Sequence, residues 1–240
     1  DNRSSRGLGD VYKRQVHYAK YEKTSALNAH VSISNSKATQ ADFIERYKMP
    51  PEWNGKTIYW GVDTDLFCPV EENGTSKRPR EQVRTNYGFN YDDPVLLAVG
   101  RFAARQGYST LLRAFRIVIK EIPNAKLLIV GRGGMKKNLY KYAAKWGFKP
   151  SIRIESSLDF NELSTVYNSS DLTVFPSYYE GQGLIPLESM SSGVPVIATN
   201  CGPIPEMVDD EVGSLFELGD EIDLAGKIIG ELRQMDRIME

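Results

Sequence analysis

Metal-ligating and redox-active residues are scarce in this 240-residue chain, which has two cysteines and two histidines. Cys68 and Cys201 are too few and too isolated for a disulfide framework or a zinc knot, which suits a reducing compartment. His17 and His30 fall outside every motif described below. No apolar run approaches the ~18 residues that a membrane-spanning helix needs, and the N-terminus has no apolar signal core, so a soluble, cytoplasmic chain is expected. An excess of charge of one sign is also lacking. The formal net charge is -1, so bulk electrostatics favour neither nucleic acid nor an anionic membrane, and a small anion has to be held locally. With 41% hydrophobic and 25% charged residues, the composition is that of a globular protein with one or two sizeable cores.

The chain is not uniform along its length. Residues 1–15, including "RGLGDVYKRQ", have neither helical nor strand periodicity and look like translated adapter sequence of the kind found in metagenomic reads. They are expected to be a tail outside the fold, with the natural protein extending further upstream. Residues 16–60 read as helix, short strand ("HVSISNS"), helix ("KATQADFIERY") and strand, a small α/β piece. Residues 61–93 end in a polar stretch rich in turn formers, "EENGTSKRPREQVRTNYGFNYDD", and are expected to be a linker. From residue 94 to 240, short apolar strands alternate with single helices: "PVLLAVG", "AKLLIVG", "SIRIE", "DLTVFPS" and "VPVIAT" are the strands. Asp159 is placed to cap the helix beginning at Phe160, and Gly193 to close the one ending near Ser192. Strands this apolar, separated by helices, predict a doubly wound parallel sheet covered on both faces, the Rossmann-like nucleotide-binding architecture.

Such sheets take ligands at the carboxyl ends of their strands, beside helix N-termini. Four glycine-bearing turns follow strands: "GRFAARQG" (100–107), "GRGG" (131–134), "EGQG" (180–183) and "CGPIPE" (201–206). Gly181 and Gly183 allow close approach of backbone to an anion, and the helix starting near Leu184 aims unpaired N–H groups at it. Glu188 lies about five residues into that helix, roughly 7 Å from such an anion at ~1.5 Å per residue, a separation that suits ribose hydroxyls. Glu180 lies in the turn, where a carboxylate can accept hydrogen bonds from sugar hydroxyls.

At these residues the sequence resembles a known family. "EGQGLIPLE" (180–188) looks like the Glu-x7-Glu motif of the family 4 glycosyltransferases, which have the GT-B fold of two facing Rossmann-like domains. "PSYYEGQGLIPLESMSSGVPVIAT" is similar to that family's signature along its length, with Gln182 where an aromatic is more usual. "GVDTDLFCP", "GRFAARQG" and "CGPIPEMVDDEVGSLFE" extend the resemblance, which covers residues 31–216 in order. It implies that residues 94–240 are the C-terminal, donor-binding half of a GT-B fold and residues 16–60 a remnant of the acceptor-side domain. It further implies transfer of a sugar from a nucleotide-sugar, with retention at the anomeric carbon and without a metal or other cofactor. Glu180 is then the catalytic-site carboxylate at the donor sugar and Glu188 the ribose ligand. Arg101 pairs with the diphosphate, where a guanidinium can fork onto two oxygens. Gly131 and Arg132 lie near the nucleotide, and the backbone of Glu155 and Ser156 faces the base. The family's usual lysine in the diphosphate loop is Gln106 here, with Arg105 beside it to compensate. The acceptor, a glycan or lipid-linked sugar, belongs to the missing part of the first domain, so the chain as given is expected to bind donor without transferring it.

Other features point elsewhere. Asp63-Thr64-Asp65 has the form of a metal-binding Asp-x-Asp, but lies in the expected linker. "MKKNLYKYAAKW" is basic on one side and aromatic on the other, a pattern of covered helices and of peripheral membrane contact alike. Asn73 and Asn168 head glycosylation-type triplets. An oxidoreductase would need Gly-x-Gly-x-x-Gly after a strand, and "GRFAARQG" does not have that spacing. A non-catalytic sugar-nucleotide-binding module is the remaining alternative.

Overall fold

A computed structural model describes residues 20–70, 80–156 and 158–239. The tail 1–15, His17, Asn73 and the middle of the expected linker lie outside the described residues. The chain divides into two compact units, meeting in sequence between Trp60 and Gly61.

The smaller unit holds a helix α1 (residues 20–28), β1 (Ser32–Ser34), α2 (Lys37–Tyr47) and β2 (Gly55–Thr57), with the two strands paired in parallel. Ser36 caps α2 by accepting the Thr39 N–H at 3.0 Å, the sequence-local device that starts a helix. Trp53 stacks on Phe43 and donates its indole N–H to the Ala26 carbonyl at 3.3 Å, so one aromatic ties α1 to α2.

The larger unit is built on a six-stranded, all-parallel sheet. Its elements in chain order are α3 (Arg80–Asn86), β3 (Val95–Val99), α4 (Tyr108–Glu121), β4 (Lys126–Val130), α5 (Lys136–Lys145), β5 (Ile152–Glu155), α6 (Phe160–Ser169), β6 (Leu172–Phe175), α7 (Leu184–Ser191), β7 (Val196–Thr199), β8 (Gly213–Phe216) and α8 (Glu221–Met239). The strands lie in the order β5-β4-β3-β6-β7-β8. The strands are short, and the inner ones, β3, β4, β6 and β7, are almost wholly buried because both faces are covered. Alternate residues serve different cores. Leu96, Ala98, Leu127 and Ile129 pack with α4, α5 and α8 on one face, whereas Val95, Leu97, Leu128 and Val130 pack with Val83 of α3 and Val166 and Tyr167 of α6 on the other. The Rossmann-like sheet expected from the sequence is therefore present. Asp159 caps α6 in a reciprocal capping box with Glu162.

The segment expected to be a linker has a different structure. Its described residues, 61–70 and 80–93, belong to the larger unit. Phe67, Val83 and Phe89 are buried in its core, and Arg84 is buried as well. The polar composition hid this, because α3 buries only Val83 and Arg84 and Arg84 needs partners remote in sequence. Its guanidinium donates to the Ser169 and Asp93 carbonyls, each at 2.8 Å, and pairs with Asp171 at 2.7 Å.

Candidate functional site at the carboxyl edge of the sheet

Every glycine-bearing turn singled out above follows one of the parallel strands β3, β4, β6 and β7, so all four open on the same edge of the sheet. Two glycines let these turns touch. Gly107 has φ 66°, and a Cβ there would stand 1.8 Å from the Pro176 carbonyl oxygen; a Cβ on Gly131 would stand 1.8 Å from the Gly100 oxygen. No side chain fits at either point. Backbone hydrogen bonds complete the join: the Phe102 N–H donates to the Arg132 carbonyl at 2.7 Å, Gly131 N–H to Glu155 at 2.9 Å, and Tyr178 N–H to Arg105 at 2.8 Å. The helices that follow start without side-chain caps. Both α4, at Gly107, and α7, at Gly183, have glycine in the capping position and no side-chain cap hydrogen bond, which leaves their first N–H groups without a side-chain acceptor.

The structure sorts the expected residues into three groups. Gly131, Arg132, Glu155 and Ser156 come together at the ends of β4 and β5. The Arg132 guanidinium donates to the Ser156 carbonyl at 3.2 Å, the Ser156 N–H to Glu155 Oε1 at 2.7 Å, and Lys136 Nζ to the Ser156 hydroxyl. A second group forms between β3 and β6. Gln106 Nε2 donates to Glu180 Oε1 at 2.9 Å, and the Ser177 hydroxyl donates to the same oxygen at 2.9 Å. Gln106 is 6% exposed. Arg101 and Arg105 are exposed, and among the described residues neither guanidinium has an acidic partner. Gly181 and Gln182 continue the turn, with Gln182 buried and Leu184 at the surface.

Glu188 stands apart from that cluster. Its Oε2 accepts the Tyr167 hydroxyl at 2.8 Å. Burial pushes the Glu188 carboxyl above the usual carboxylate range, and the tyrosine hydrogen bond pulls the other way. The Tyr167 hydroxyl, fully buried, is pushed well up by burial and by the glutamate charge. The Cys201 thiol donates to the Ser177 carbonyl and is also raised, first by burial and then by Glu180; it is a structural neighbour of the site and not a poised nucleophile.

Sequence reasoning missed Ser177, Tyr178, Tyr167 and Lys136. Ser177 and Tyr178 were readable as immediate neighbours of Glu180, whereas the Tyr167 contact with Glu188 joins two helices and has no local signal. Other motifs resolve into structure. Asp63 Oδ1 accepts the Asp65 and Leu66 N–H groups, a turn within its own segment. Asn168 bonds Cys68 and Val70 of the preceding segment. Among the described residues no cluster of three histidine, cysteine or acidic side chains is placed to hold a metal. No described helix is long and apolar enough to cross a membrane.

A parallel sheet whose glycine turns meet at one edge, beside uncapped helix starts and two arginines without acidic partners among the described residues, defines an α/β domain of the class that takes ligands at the carboxyl ends of its strands. Comparison with known proteins narrows the class: the family model described as glycosyl transferases group 1 matches residues 79–234, and the chain belongs to that family. The D-inositol 3-phosphate glycosyltransferase of Corynebacterium aurimucosum is 31% identical over 189 residues, 76% of this chain and 44% of the relative. The chain spans about half the length of the curated relatives it matches. Among solved structures, the sucrose-phosphate synthase of Thermosynechococcus elongatus is 27% identical with a TM-score of 0.76, covering 90% of this chain and 52% of that one. Anabaena Alr3699/HepE in complex with UDP-glucose has a TM-score of 0.78 at 22% identity, over 91% of this chain and 58% of its own, a likeness of fold. The fold is that of the C-terminal domain of GT-B glycosyltransferases.

Proposed function

We propose that this chain is the donor-binding part of a retaining glycosyltransferase that uses a nucleotide-sugar. The observation that carries the reading is the carboxyl edge itself: the glycine turns after four parallel strands meet there beside two uncapped helices, with Arg101 and Arg105 free of acidic partners among the described residues, Glu180 anchored in its turn and Glu188 anchored on α7. Arg101 and Arg105, with the first N–H groups of α4 and α7, take the diphosphate. Glu188, kept in place by Tyr167, accepts from the ribose hydroxyls. Gly131 and Arg132 flank the nucleotide, and the Glu155–Ser156 backbone faces the base. Glu180 accepts from hydroxyls of the sugar. The charge of the diphosphate is met by arginines and helix ends, so the chemistry proposed needs no metal. The acceptor, a glycan or lipid-linked sugar, is held by a further domain of the whole protein, which acts in the cytoplasm. The 240-residue chain accordingly binds donor without sustained transfer, because transfer needs both substrates in near-attack geometry.

The test is calorimetric titration of the chain with UDP-glucose, GDP-mannose, UDP and GDP. Glu188→Gln should weaken the sugar-free nucleotide more than tenfold, since a charge-assisted hydrogen bond is worth roughly 1.5–3 kcal/mol. Glu180→Gln should weaken only the nucleotide-sugar. Equal effects of both changes on the sugar-free nucleotide would sink these roles, and binding of none of the four ligands would sink the donor reading.

A further inference from the structure

Gln106 occupies a position facing two kinds of neighbour: the arginine-bearing turn on its own side, and Glu180 across the β3–β6 seam. Its burial decides between them. At 6% exposure the side chain is withdrawn from the surface on which Arg101 and Arg105 lie. Its amide nitrogen is 2.9 Å from Glu180 Oε1 and 3.5 Å from the Ser177 hydroxyl, while the amide oxygen turns toward Gly100, where an added Cβ would stand 2.9 Å from it. An amide can face a carboxylate only with its NH2 side, so this orientation is imposed chemically. The Ser177 hydroxyl has carbonyl neighbours at Arg105 and Tyr179, at 3.4 and 3.2 Å, and its shortest contact is to Glu180 Oε1 at 2.9 Å. Two donors thus converge on one carboxylate oxygen, and among the described residues Glu180 Oε2 receives none.

We infer that Gln106 is a positioning residue for the donor sugar: its amide fixes Glu180 through Oε1 and thereby presents Oε2 to the sugar's hydroxyls. This rests on the reading of Glu180 as the sugar contact. The neutral amide has a consequence that a lysine in the same place would not. It orients the carboxylate without pairing off its charge, so Oε2 remains a full acceptor for hydroxyl donors. Gln106 therefore acts on the sugar end of the donor through Glu180 and leaves the diphosphate to Arg101 and Arg105.

The experiment is a double-mutant cycle of Gln106→Met, which keeps length and burial but removes the amide, with Glu180→Gln, read by calorimetry and by urea unfolding. UDP-glucose and GDP-mannose report the sugar end; UDP and GDP report the rest. Gln106→Met should lower nucleotide-sugar affinity about tenfold and leave the sugar-free nucleotide within twofold. In the Glu180→Gln background it should add less than twofold. A role in packing alone would weaken both ligand classes together, and a direct contact with phosphate would weaken UDP or GDP as strongly as its sugar; either result overturns the inference. If the wild type binds none of these ligands, the donor reading fails and the positioning of a donor sugar is overturned with it, while unfolding reports separately on the Gln106–Glu180 bond. Non-additive stability losses uphold the Gln106–Glu180 bond, and additive ones overturn it.

Discussion

At the amino edge of the six-stranded sheet Arg80 and Arg84 close on Asp171, which also accepts the Val95 N–H at 2.7 Å. At the carboxyl edge Arg101 and Arg105 reach the surface, and among the described residues no acid meets either of them. The residue types are the same and the uses are opposite. Asp171 has each carboxylate oxygen occupied and joins α3, β3 and β6, so its charges are consumed within the fold. Burial lowers the Arg84 pKa, and the Asp171 charge opposes that fall. Even the cavity at the amino edge, about 560 Å³ and lined by Val70, Arg80, Asn168 and Asp171 among others, has Arg80 bonded to Asp171 and the Val70 N–H donating to Asn168. Charges left unpaired, and not the presence of a hollow, distinguish the edge at which the donor site is proposed.

The comparison can be broken most sharply at Asp171. Asp171→Ala leaves Arg84 buried without its acid, and the expected loss in urea unfolding is about 3–5 kcal/mol, with nucleotide affinity of the folded fraction unchanged. A loss below about 1 kcal/mol would place the network with ordinary surface pairs. Gly131→Ala tests the other edge. Its Cβ collides with the Gly100 carbonyl and forces the two turns apart, at a cost of about 2–3 kcal/mol and with a fall in nucleotide affinity.

The next effect is smaller and depends on pH. The Glu188 carboxyl is raised by burial in the folded protein, so the folded state holds this proton more tightly than the unfolded chain. Its favourable contribution is complete below the ordinary glutamate range and is lost as pH rises through the folded pKa. Glu188→Gln should therefore be more stable than wild type at pH 7, with the advantage shrinking toward pH 4 in parallel urea titrations. Together with the expected tenfold loss of nucleotide affinity, that would mark Glu188 as a residue kept for binding against the interest of the fold. The smallest change is Arg101→Gln, roughly two- to fivefold in UDP affinity, with a shallower dependence on salt because the charge is exposed.

What could be read from the chain depended on how local its cause was. Strands β3 to β7 were legible because apolar runs of four or five residues between turn formers have few other structures open to them. Asp159 was legible because a capping box closes within four residues. The four turns were legible as one site because parallel strands bring all their carboxyl ends to one edge. Helix α3 was not, since its burial depends on Arg84 finding Ser169 and Asp171 at the end of the third helix further on. Nor was the orientation of Gln106: from sequence it is a polar residue in a turn near an expected phosphate, and only the β3–β6 seam shows its amide turned toward Glu180.

That seam also governs how the sheet can assemble. Strands β3 and β4 each pair with their immediate successor, β4 and β5, so this half can zip up as the chain advances. Strand β6 instead returns to β3, matching Leu172 with Leu96, and β7 and β8 then build outward from it. A single distant pairing carries the loop-closure entropy for the second half, so it is the step expected to limit folding. Asp171 sits at the first residue of that returning segment, with Val95 and Arg84 waiting for it on the completed half. The ion pair that locks the finished sheet is thus also the latch that can catch β6 as it arrives, and its loss would be felt in the rate of folding as well as in the depth of the native well.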